Sequence, residues 1–116
     1  MATACLMIGW NRPVPEREAE AWEFLQGEGL QQIERYKREG WCDGYEIIGL
    51  TPHMSALNSF ALLKGARAKL DELRRTDDFE RFSMRLSRLM TSFGVTPGVT
   101  LEGIRKVAER NGDLLK

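Results

Sequence analysis

The sequence is poor in almost everything that chemistry at a metal or a nucleophile requires. It has one histidine, His53, and two cysteines, Cys5 and Cys42, in 116 residues. A metal site takes three or four His, Cys or carboxylate ligands, normally with a short-spaced pair among them. Cys5, Cys42 and His53 offer no such pair, so no metal is expected. Haem would need an axial ligand such as His53, but that residue follows Pro52 in a loop, and no cofactor is expected either. Two cysteines could make one disulfide, yet beside strand-like apolar residues they more often stay as small buried hydrophobes. No Gly-x-Ser-x-Gly elbow is present, and no Cys–His constellation for nucleophilic catalysis. Gly27-Glu28-Gly29 lies inside a helical pattern rather than between a strand and a helix, so it is not a phosphate loop.

An excess of either charge is missing too. The 17 basic and 17 acidic side chains cancel, which leaves no electrostatic footprint for nucleic acid or an anionic membrane. A neutral chain also does little to keep its own copies apart. The N-terminal apolar run has no basic region before it and is too short for a signal peptide or a membrane span, so a cytoplasmic location is expected. There is no fixed-period repeat and no low-complexity segment. The length fits a single domain over residues 1–116.

What is present is patterning. From Thr3 to Asn11 alternate residues divide into Ala4, Leu6, Ile8 and Trp10 on one side and Cys5, Met7, Gly9 and Asn11 on the other. Both sides are apolar almost to the end, as in a central strand covered front and back. Pro13 and Pro15 stop it. A helix then opens at Pro15 or Glu16, with Trp22, Leu25, Gly29, Ile33 and Tyr36 at near-helical spacing and an end at Lys37-Arg38-Gly40. Gly27 and Gly29 weaken its middle. Close packing against another backbone is the preferred explanation, and a kink beside a pocket the functional alternative. Trp41 to Leu50 reads as a second strand. Leu57 to Leu63 reads as a third, again apolar on both faces. Ala66 to Arg75 forms a short helix, and Thr76 caps another, with Asp77 and Asp78 in its first turn. Its apolar stripe is Phe79, Phe82, Leu86, Leu89 and Met90. Arg81, Arg85 and Arg88 line the far side, which reads as a solvated face. Thr91 to Val95 reads as a fourth strand ended by a Thr96-Pro97-Gly98 turn. Thr100 then caps a last helix with Leu101, Ile104, Val107 and Ala108 on one face.

Strand, helix, strand, strand, helix, strand is the split βαβ order, an α+β fold of the ferredoxin-like βαββαβ type with a four-stranded antiparallel sheet and a short C-terminal helix. Right-handed crossovers put the long helices on one face. The first and third strands become the central pair, in agreement with their two-sided apolar character. The second face then needs cover, and the terminal helix carries about four apolar side chains, too few for a sheet face. A second copy stacked through the sheet is the expected partner. Three segments carry a resemblance: Asp43-Gly44-Tyr45 entering the second strand, the Ser59–Gly65 strand leading into a helix, and Gly94-Val95 with Gly98-Val99-Thr100-Leu101 before the last helix. With this layout the chain resembles the dimeric α/β-barrel superfamily, and most of all small uncharacterised bacterial proteins within it. That superfamily includes antibiotic-biosynthesis-type monooxygenases, haem-binding barrels and stress-responsive barrels. The resemblance implies a fold and a dimer, and it transfers no catalytic residue.

The most suggestive chemical group is Trp10, Asn11 and Arg12 at the end of the first strand, with Tyr45, His53, Asn58 and Phe60 as candidate neighbours. Aromatics with a few polar tips suit a small-molecule pocket. They equally suit core or a dimer interface, which is the preferred reading. The first expectation is a homodimer that binds a small apolar or aromatic ligand between sheet and helices. One alternative is a cofactor-independent, monooxygenase-like enzyme acting on a phenolic or polycyclic substrate, with His53, Asn11 and Tyr45 as catalytic candidates beside Trp10. Another is a structural or regulatory interaction protein.

Overall fold

The computed structural model describes residues 2–51 and 55–112. Strand β1 (Ala4–Trp10) leads through one turn of 3-10 helix at Pro15–Arg17 into α1 (Glu18–Gln26) and α2 (Glu28–Arg38). Then come β2 (Gly44–Gly49), β3 (Ser59–Gly65), α3 (Arg67–Arg74), α4 (Asp77–Leu89), β4 (Gly94–Val99) and α5 (Leu101–Arg110). The strands form one sheet in the order β2-β3-β1-β4, every neighbour antiparallel. This is the ferredoxin-like arrangement, with β1 and β3 in the middle as their apolar faces imply.

The register sorts the side chains cleanly. Leu6 lies opposite Leu63, and Ile8 opposite Ala61 and Val95. With Ala4 and Trp10 these inner-face residues of β1 and β3 are buried under the helices. Met7 lies opposite Leu62 and Thr96, and Gly9 opposite Phe60 and Gly94, on the outer face. Cys5, Met7, Phe60 and Leu62 are only half-buried there. A Cβ at Gly9 would come within 2.8 Å of the end of the Leu57 side chain, which lies against the strand there.

On the inner side, α4 supplies Phe79, Phe82, Leu86 and Leu89 to the core. The Thr76 hydroxyl caps it, accepting from the Phe79 N–H at 3.1 Å. Phe24, Tyr36, Phe79 and Phe82 pack as an aromatic group with centroids about 6 Å apart, Tyr36 edge-on to Phe82. At the surface Asp78 joins α4 to α2, accepting from the Gln32 side chain at 2.7 Å and pairing with Arg35.

Three expectations change. The long helix is two helices: the backbone breaks at Gly27 (φ −115°, ψ −102°). The fourth strand is Gly94–Val99 rather than Thr91–Val95: it starts three residues later, and Thr96-Pro97-Gly98 is strand rather than turn. Pro97 is tolerated because β4 is an edge, where a missing N–H can face away from the ladder, and it also blunts that edge against further pairing. The second and third strands are shifted, to Gly44–Gly49 and Ser59–Gly65. In the second, Trp41 and Cys42 lie before the pairing begins; in the third, pairing runs on through Lys64 to Gly65.

Candidate functional site

The break at Gly27 shapes the site. The last turn of α1 brings Trp22, Leu25 and Gln26 to one wall of a cleft, and the first turns of α2 bring Gly29, Leu30 and Ile33. The inner face of the sheet makes the opposite wall with Ile8, Trp10, Ile47, Ser59 and Ala61, while Phe24, Phe82 and Leu86 complete the lining. Gly29 is required at this point. A Cβ there would sit 2.8 Å from both the Phe24 ring and the Phe24 carbonyl oxygen. The two helices therefore meet closely at Gly29 and diverge from a common hinge beside the cleft. Both readings of the glycine pair, close packing and a kink beside a pocket, describe the same bend.

The cleft holds about 270 Å³. That is just below the usual range for small-molecule sites, about 300–1,000 Å³, and suits a compact ring system better than an extended chain. Its lining is almost wholly apolar; among the described residues, Gln26 and Ser59 are the polar side chains that reach it. Two apolar residues stand exposed around it: Trp22 (48%) and Ile47 (45%). Large apolar groups clustered at the edge of a concavity are what a binding site leaves uncovered.

Of the residues singled out from sequence, Trp10 lies in the cleft wall. Asn11 and Arg12 belong instead to a junction with the end of α4. The Asn11 N–H donates to the Thr91 carbonyl at 2.8 Å, and the Arg12 N–H to the Thr91 hydroxyl at 3.1 Å. Asn58 donates its N–H to the Trp10 carbonyl and accepts from the Leu50 N–H, so its backbone holds the strand ends together. Phe60 lies on the outer face beside Ile48. Tyr45 donates its hydroxyl to Glu34 at 3.4 Å, and burial together with the Glu34 charge raises its phenol above the ordinary value. His53 lies outside the described residues. Of the six that are described, the structure thus brings Trp10 into the cleft and distributes the other five. The lining residues not singled out were visible as a stripe, Trp22–Leu25–Gly29–Ile33, whose helical spacing reads equally as core.

Cys5, Cys42, Tyr36 and Asp78 do not line the cleft. Cys5 and Cys42 are both free thiols, and burial raises the Cys42 thiol above its ordinary value. Burial also holds the Tyr36 phenol well above its ordinary range. Burial works against the Asp78 carboxylate, but hydrogen bonds from Arg35, Gln32 and Tyr36 outweigh it and leave the group below its usual value. Among the described residues no three His, Cys, Asp or Glu side chains lie together as a metal site. No described helix is long and apolar enough to cross a membrane.

No protein-family model and no curated protein matches the chain. Among solved structures it is similar to the crystal structure of a conserved protein from Methanosarcina mazei Go1. That likeness has a TM-score of 0.56 at 20% identity, over 83% of this chain and 91% of the other. At such identity it concerns the fold: two sequences that differ at most positions support the same arrangement of sheet and helices.

Proposed function

We propose that this protein is a binding module that takes a small apolar or aromatic ligand in the cleft between the sheet and α1–α2, and that it works as a homodimer joined through the outer sheet face. The observation that carries the ligand reading is the cleft itself, about 270 Å³ with an apolar lining and Trp22 and Ile47 exposed around it. Burying the rings of a ligand there gains about 25 cal/mol for each Å² of apolar surface removed from water. Gln26 and Ser59 leave room for one or two orienting hydrogen bonds. Among the described residues, the polar side chains that reach the cleft, Gln26 and Ser59, are hydrogen-bonding rather than acid–base groups, which supports binding over a monooxygenase-like activation of a phenol towards oxygen.

Two of the three tryptophans, Trp10 and Trp22, line the cleft, while Trp41 stacks elsewhere under Lys69. A Trp41→Phe variant therefore reports on the cleft alone. Titration with 2-naphthol should give a saturable change in its tryptophan emission, and Ile47→Glu at the exposed edge should weaken that binding at least tenfold. A signal that never saturates, or that Ile47→Glu leaves unchanged, would remove the ligand reading. An oxygen electrode in the same titration tests for turnover.

A further inference from the structure

Helices α3 and α5 start side by side. In the register Ala4 lies opposite Gly65, the last residue of β3, and opposite Val99, the last of β4. Neighbouring strands run about 5 Å apart, so the strand ends that feed α3 at Arg67 and α5 at Leu101 are about 10 Å apart, with Ala4 between them. A groove of about 610 Å³ lies there, well inside the usual range for small-molecule sites, about 300–1,000 Å³. Ala4, Val99 and Val107 are the apolar part of its lining, and Arg67, Lys106 and Arg110 bring three cations to it. The seat of α5 is set by the backbone. The Thr100 hydroxyl donates to the Ala2 carbonyl and accepts from the Gly103 N–H. A Cβ at Gly103 would lie 2.0 Å from the Thr3 oxygen, so glycine is needed for this close approach.

The cations of this groove have no acid to answer them. Arg67 donates from its guanidinium to the Gly98 carbonyl at 2.7 Å, which holds the side chain and leaves most of its N–H groups for a ligand. Lys106 and Arg110 follow one turn apart on α5, and like charges at that spacing repel. Among the described residues none of the three makes an ion pair, and Glu109, the acidic side chain in the lining, pairs with none of them. The arginine-lined groove between α1 and α4 differs, since Glu20 meets Arg17 there and Glu28 meets Arg85. Helix α3 adds to the same field. Its N-cap is Ala66, which has no side chain that can cap it, and an open helix N-terminus favours an anion. Cavity, unpaired cations and helix end thus converge on one place, and each favours the same sign of ligand.

We propose that this groove is a site for a small organic phosphate, its phosphate held by Arg67, Lys106 and Arg110 and its organic part laid against Ala4, Val99 and Val107. A phosphate is favoured over a carboxylate because its near-double charge and three oxygens suit three separate donors. No residue lines both this groove and the cleft, so the two sites stand or fall separately. Phenyl phosphate titrated into the full chain near neutral pH, with amide chemical shifts as the readout, tests the site. Saturable shifts are expected at Thr3, Ala4, Arg67 and Gly103. Benzyl alcohol should leave these still, and benzoate should bind about tenfold more weakly. Lys106→Gln and Arg110→Gln together should cost at least tenfold in affinity. Both side chains are exposed, so the unliganded double variant should melt as the parent does. Shifts that never saturate, that benzyl alcohol reproduces, or that the double variant leaves unchanged would overturn the site. Benzoate bound as tightly as phenyl phosphate would overturn the assignment to phosphate. Sedimentation with phosphatidic acid vesicles, without saturable binding of phenyl phosphate, would overturn the small ligand in favour of a membrane headgroup.

Discussion

A methyl group added at Gly29 has nowhere to go, because Phe24 closes on it with both ring and carbonyl. Alanine is the better helix former by about 1 kcal/mol, but overpacking of this kind costs about 1–3 kcal/mol. Gly29→Ala should therefore lower stability in urea denaturation, where propensity alone would raise it. Tyr36 makes a second residue-scale prediction. Burial raises its phenol above the value of 10.0 that it recovers on unfolding. The unfolded chain then loses this proton first, so the stability tied to it is complete below pH 10 and falls as pH rises beyond. Phenolate absorbance from Tyr36 should appear together with loss of helical circular dichroism, and Tyr36→Phe should flatten the alkaline decline. The sequence displayed Tyr36 and Gly29 as members of one helical stripe. It could not display which of them met Phe24, since that depends on where the chain bends.

The elements divide into those whose ends are written locally and those whose ends are set by neighbours. Helix α4 is of the first kind. Thr76, the acidic first turn and the Phe79–Phe82–Leu86–Leu89 stripe define it without any tertiary information, and the hydroxyl makes the bond that a cap requires. Thr76→Ala should cost about 1 kcal/mol, read as a shift in the urea midpoint at unchanged slope. Strand β4 is of the second kind. Thr-Pro-Gly is a turn signal by itself, but six residues of pairing along β1 override it, and the edge position excuses the proline. The break at Gly27 is similar. Glycine permits the bend, and packing of Phe24 and Ile33 in one core chooses it.

At the scale of the whole molecule the protein is a slab. Its extents are 54 × 35 × 19 Å and its radius of gyration 15.7 Å, against about 13 Å for a compact chain of this length. The short dimension is about two layers, one sheet and one tier of helices. That much was legible from β1 and β3, whose two-sided apolar character placed them centrally and left a second face wanting cover. The cleft was not legible. Its walls come from the bend between α1 and α2 and from an edge strand, and residues such as Trp22 and Ile47 read from sequence as ordinary core. If the outer face joins two copies as proposed, Met7→Asp on that half-buried face should separate them, seen as a halved mass in light scattering. An unchanged mass and melting temperature would mean that the outer face has no partner.

The claim that everything functional here depends on is that the cleft is a site. Amide chemical shifts during titration with 2-naphthol test it most directly. A ligand in the cleft should move them at Gly29, Leu30, Ile47, Ser59 and Ala61, and leave Met7, Leu62 and Thr96 on the outer face still. Shifts confined to the outer face or to α5, or none at ligand saturation of the solution, would contradict it.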